Sequence, residues 1–135
     1  MVKLQILVSH CLPTQLYGCE SGFMDDDMLS LLNCCWNSIY RKIFGYFRWE
    51  SVRNVMGQLN KLNVVYLVSL RRFIFIKKLA QLSSSNKLLS NVVNVYSNSH
   101  EFQTVGLLNR YNVDFYSSIV NIKNKVHSEF LLTCK

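Results

Sequence analysis

The chain has 135 residues, of which 50% are apolar and 17% charged, and its formal net charge is +7. That length allows one domain with a modest core, and that composition excludes a disordered chain. One proline and five glycines are too few turn-formers for a β-sandwich and favour long helices.

Residues 2–12 place Val2, Leu4, Ile6, Leu7, Val8, Cys11 and Leu12 at helical intervals. Pro13 is expected to kink or end that helix, because it lacks an amide hydrogen and clashes with the preceding turn. No capping residue comes before it, so the chain starts as if inside an element. Gly18 and Gly22 then mark a loop. Residues 25–44 carry the clearest helical period. Met28, Leu32, Cys35, Ile39 and Ile43 step by three or four, with Leu29, Trp36, Tyr40 and Phe44 beside them. Three aspartates at its front, Arg41 and Lys42 at its back and Gly45 beyond suit the helix dipole and a glycine stop.

Residues 50–60 offer a shorter helix with Val52, Val55, Met56 and Leu59 on one face, interrupted by Gly57. Asn63 can cap a helix over 64–82 that is apolar around most of its circumference and so belongs at a centre or in an interface. The run "SSSN" (83–86) breaks the chain and can cap a helix over 87–96. Residues 97–112 are polar and irregular, and a last helix is expected over 113–132. The expected fold is all-α, roughly four to six helices in a small irregular bundle. Helices over 28–44 and 64–82 form its centre. Residues 1–82 make the main module and residues 83–135 a Ser- and Asn-rich helical tail.

The charge is concentrated in a middle block. Residues 1–40 set Lys3 against Glu20, Asp25, Asp26 and Asp27, a net −3. Residues 41–87 set ten Lys or Arg against Glu50 alone, a net +9, and residues 88–135 set four bases against three acids, a net +1. Such a block points to a partner that carries phosphates, either nucleic acid or anionic lipid, or else to a solvated helix surface. The stretch "CWNSIYRKIFGYFRWESVR" (35–53) interleaves bases with aromatics. Bases neutralise phosphates and aromatics stack on nucleobases. Trp36, Tyr40 and Phe44 stand at helical spacing and read as core; Tyr46, Phe47 and Trp49 flank a turn and their burial is open.

Catalytic and metal motifs are weak. Phe23-Met24-Asp25-Asp26 spells aromatic-x-Asp-Asp, the metal-binding turn of reverse transcriptases. A two-metal site needs a further carboxylate from a separate strand and apolar strands on both sides of the turn. Here helical period follows Asp27, so the aspartates read as a helix cap and first-turn acids. Ser9-His10 adjacency is not the geometry of a nucleophile and its base. His100 and His127 stand alone, and no glycine-rich phosphate loop exists. Neither a cofactor site nor a catalytic set is expected. Cys11, Cys19, Cys34, Cys35 and Cys134 form an odd set without Cys-x-x-Cys spacing, which suggests reduced, buried thiols in an intracellular protein. His10, Cys11 and Cys19 are candidates for zinc on paper. The N-terminal apolar run is broken by Gln5, Ser9 and His10, unlike a signal peptide. The 63–82 stretch carries Arg71, Arg72, Lys77 and Lys78, unlike a transmembrane helix.

Two segments, "LPTQLYGCES" (12–21) and "WNSIYRKIFGYFRWESVR" (36–53), resemble the region after the catalytic palm in reverse transcriptases of LINE-type (non-LTR) retrotransposons. The matching residues are Leu12, Pro13, Leu16, Tyr17, Gly18, Cys19 and Glu20, then Trp36, Asn37, Arg41, Lys42, Phe44 and Gly45, then Trp49, Glu50, Ser51 and Val52. Order and spacing agree over about residues 1–80. The resemblance implies a thumb-like helical module that holds template and primer, without the catalytic carboxylates, which lie upstream in that family. It implies a remnant of an RNA-directed DNA polymerase that is not itself an enzyme.

The expected activity is low-specificity binding to RNA or DNA backbone, with Arg41, Lys42, Arg48, Arg53, Arg71, Arg72, Lys77 and Lys78 on phosphates. The alternatives are an interaction or membrane-surface protein that lays the 64–82 helix on anionic lipid, or a relic reading frame with no selected function.

Overall fold

The computed structural model describes residues 2–21, 24–98, 110–112 and 117–134. Their regular elements are all helical, with no strand among the described residues. In chain order the elements are α1 (Val2–Ile6), a π turn (Leu7–Cys11), α2 (Leu12–Gln15), α3 (Asp26–Phe44), α4 (Arg53–Gln58), α5 (Val64–Ser83), α6 (Lys87–Asn98) and α7 (Ile119–Thr133). No helix among the described residues is long and apolar enough to cross a membrane.

The irregularity at Pro13 takes the form of the π turn. Helical backbone continues to Gln15, and the Leu12 amide donates to the Leu7 carbonyl, one residue farther back than in an α-helix. The widened turn accommodates a proline that an unbroken α-helix would resist. The Thr14 hydroxyl donates to the His10 carbonyl at 2.9 Å, one more bond within the widened turn.

α3 begins and ends on side-chain chemistry. The Asp25 carboxylate accepts from the Met28 amide at 2.7 Å, with Asp25 in extended conformation as an N-cap must be. At the other end Gly45 adopts φ +73° and the Tyr46 amide donates to the Arg41 carbonyl at 3.0 Å, a Schellman stop. α4 stops the same way with asparagine in place of glycine. Asn60 has φ +53°, and the Lys61 and Asn60 amides donate to Met56 and Gly57 carbonyls. Asn63 then caps α5 through the Val65 amide at 2.7 Å. Asn86 caps α6 through Leu88 at 3.0 Å, and Ser118 caps α7 through Asn121 at 3.2 Å. That last cap moves the start of the final helix to Ile119; Val113–Tyr116, expected within it, lie outside the described residues.

α5 is the hub, with α3, α6 and α7 packed against it. Trp36 and Tyr40 of α3, Val64, Tyr66, Val68 and Phe73 of α5, and Ile122, Val126 and Phe130 of α7 belong to one buried cluster. Tyr66 meets Phe130 at 5.3 Å and Tyr111 at 6.3 Å between ring centroids, both edge-on, a favoured aromatic geometry. The 83–135 segment thus shares its core with the 1–82 segment. α4 packs against α7, where a methyl group added at Gly57 would stand 3.3 Å from Cys134 Sγ.

Two expectations, one about α3 and one about the cysteines, are corrected. The buried stripe of α3 runs through Trp36 and Tyr40, while Met28 and Cys35 are exposed. Leu32, Ile39 and Ile43 of the expected face pack against the core, partly buried. Buried thiols were also expected. All five cysteines are free, but Cys11, Cys34 and Cys35 are exposed and only Cys19 is buried.

Candidate nucleic-acid interface

The connection between α3 and α4 is a short turn held from three directions. The Phe47 amide donates to the Glu50 carboxylate at 2.6 Å. The Glu50 amide donates to the Phe47 carbonyl at 3.1 Å. The Glu50 carbonyl in turn accepts from Arg41 Nε at 2.9 Å. Together with the Gly45 stop, these bonds leave the turn little freedom.

On this scaffold Phe47 and Trp49 stack face to face, with centroids 5.1 Å apart and planes 1° from parallel. Phe47 is 63% exposed and Trp49 81% exposed. Tyr46 and Phe44 are also in contact with solvent. A large apolar ring left outside a core forgoes about 2–3 kcal/mol of burial, and here two such rings form one exposed aromatic plate. Lys42, Arg48 and Arg53, exposed as well, lie within a few residues of it in sequence. Their charged groups make no hydrogen bond or ion pair among the described residues.

The eight expected phosphate contacts divide into two groups. Lys42, Arg48, Arg53 and, on α5, Lys78 are exposed. The other four are engaged inside the fold. Arg41 is half-buried and ties down the Glu50 carbonyl. Arg71 donates from Nη1 to the Leu16 carbonyl and to Glu20 Oε1, each at 3.3 Å. Arg72 is only 8% exposed and donates from Nε to the Cys19 carbonyl at 3.2 Å. Lys77 donates to the Ser117 carbonyl. Arg72 is therefore corrected from a surface contact to an internal strut, with Arg71 beside it. The turn over 16–20 offers carbonyls that need donors, and two adjacent arginines on α5 supply them.

Other chemistry around this region is quiet. Burial, followed by the Glu20 carboxylate, pushes the Cys19 thiol above its ordinary range, which keeps it unreactive. Burial pushes the Arg72 guanidinium down from its usual value. Among the described residues no group of three His, Cys, Asp or Glu side chains is placed to hold a metal ion. His10, Cys11 and Cys19 are therefore not brought together as a zinc site.

The exposed stack was only half legible. The interleaving of aromatics and bases marks 35–53, and of the three rings whose spacing predicts core, Trp36 and Tyr40 are buried while Phe44 is 39% exposed. The signal for the turn was Glu50, an acid placed three residues after Phe47 so that it closes on that amide. Comparison with protein-family models, with curated proteins and with solved structures returns no match for this chain.

Proposed function

We propose that this chain is a non-catalytic nucleic-acid-binding module that holds RNA or DNA by its phosphate backbone. The observation that supports it is the exposed Phe47–Trp49 stack, with Lys42, Arg48 and Arg53 exposed within a few residues of it in sequence. Cations give affinity for any polyphosphate, and an aromatic plate adds contact that tolerates every base. In descent the module reads as a remnant of the post-palm region of a LINE-type reverse transcriptase, on the resemblance of 12–21 and 36–53. The resembling residues have structural work: Glu20 pairs with Arg71 and Glu50 closes the turn. The reading implies an intracellular setting, nuclear or cytoplasmic, where free thiols stay reduced.

The competing membrane-surface reading needs a helix with a free apolar face. α5, its expected carrier, has Val64, Tyr66, Val68 and Phe73 in the core. Filter binding of a labelled oligonucleotide, with flotation on anionic vesicles in parallel, separates the two. Binding that weakens roughly 15- to 60-fold between about 50 and about 200 mM salt is expected for three or four phosphate contacts. No binding at low salt, or binding to vesicles alone, overturns the reading.

A further inference from the structure

Phosphate contacts alone do not distinguish a duplex from a single strand, but the aromatic stack does. In a duplex the base faces are already covered by their neighbours, and an aromatic side chain gains access to one only by unstacking it. Trp49 is 81% exposed, while the ring plane of Phe47 backs it almost in parallel. The pair is a ready-made end of a stack, and an unpaired base continues it.

The plate is also preorganised. Glu50 fixes the turn through the Phe47 amide, and Arg41 fixes Glu50, so little ordering entropy is lost when a base docks. Arg48 lies between the two rings in sequence and Arg53 shortly after them, both exposed, which places cations within a few residues of the stacked base. We infer that the α3–α4 turn takes single-stranded nucleic acid, with an unpaired base stacked on Trp49 and the neighbouring phosphates on Arg48 and Arg53. This rests on the reading of the chain as a nucleic-acid binder.

The test compares the full chain on a single-stranded RNA oligonucleotide, the single-stranded DNA of the same sequence, and the corresponding DNA duplex, at one low salt concentration. Both single strands are expected to bind more tightly than the duplex and to quench the emission of Trp49. Trp49→Ala is expected to weaken single-strand binding about fivefold or more and to weaken duplex binding less. Trp49→Phe should retain most of the affinity. Since Trp49 lies on the surface, a thermal melt should show each variant folded as the parent. Equal affinity for duplex and single strand, or no effect of Trp49→Ala, overturns the stacking inference while leaving backbone binding standing. Absence of salt-dependent binding to all three oligonucleotides overturns both.

Discussion

Tyr40 is fully buried, and its hydroxyl has no hydrogen-bond partner among the described residues. An unpartnered buried hydroxyl costs about 1–3 kcal/mol. Tyr40→Phe removes it with almost no change of shape, so the variant should be more stable by about 1 kcal/mol in chemical denaturation. Burial also pushes the Tyr40 phenol up to about 12. Because the folded value lies above the unfolded one, the unfolded chain releases this proton first as pH rises. Stability should therefore fall between about pH 10 and pH 12, by about 2–3 kcal/mol from this group. The difference between parent and Tyr40→Phe denaturation curves across that range isolates the contribution. Asp25 works in the opposite sense: Asp25→Ala loses the bond to the Met28 amide and should cost about 1 kcal/mol. That cap was readable from sequence, as were Gly45 and Asn63, because a cap depends on residues within one turn of it. The unpaired Tyr40 hydroxyl was not, because it depends on what packs over α3.

At the scale of elements, two neighbouring arginines on α5 show where local reading stops. Arg71 and Arg72 look like surface bases in sequence, yet they hold α5 to the 16–20 turn, more than fifty residues away. Nothing within α5 announces those partners. Arg72→Ala should therefore destabilise the fold by about 2–4 kcal/mol, leaving carbonyls unpaired and a packed side chain missing. Arg48→Gln and Arg53→Gln, on the surface, should stay within about 0.5 kcal/mol of the parent. Urea denaturation of the three variants checks the contrast. Gly57 looks like a defect in a short helix, but it lets α4 approach Cys134. Replacing it by Ala gains helix propensity and crowds that sulfur. A double-mutant cycle of Gly57→Ala with Cys134→Ala should show coupling of at least about 0.5 kcal/mol, with the alanine better tolerated once the sulfur is gone.

For the whole molecule, the all-α architecture and the hub position of α5 follow from helical period and from the all-round apolar character of residues 64–82, while α3, expected at the centre as well, packs against α5 as α6 and α7 do. The interface was legible as a stretch but not as a surface. Composition marks 41–78 as basic, yet only the tertiary fold divides its bases into struts and free cations. Lys42, Arg48, Arg53 and Lys78 stay exposed, and the rings of Phe47 and Trp49 stay outside the core. The central claim is that these free cations meet phosphates. The most direct measurement is the slope of log K against log salt for a single-stranded oligonucleotide, in the parent and in an Arg48→Gln, Arg53→Gln double variant. The account predicts a parent slope of about −2 to −3, made shallower by about 1.4 in the variant as two contacts are lost. A flat parent slope, or the same slope in both proteins, would contradict it.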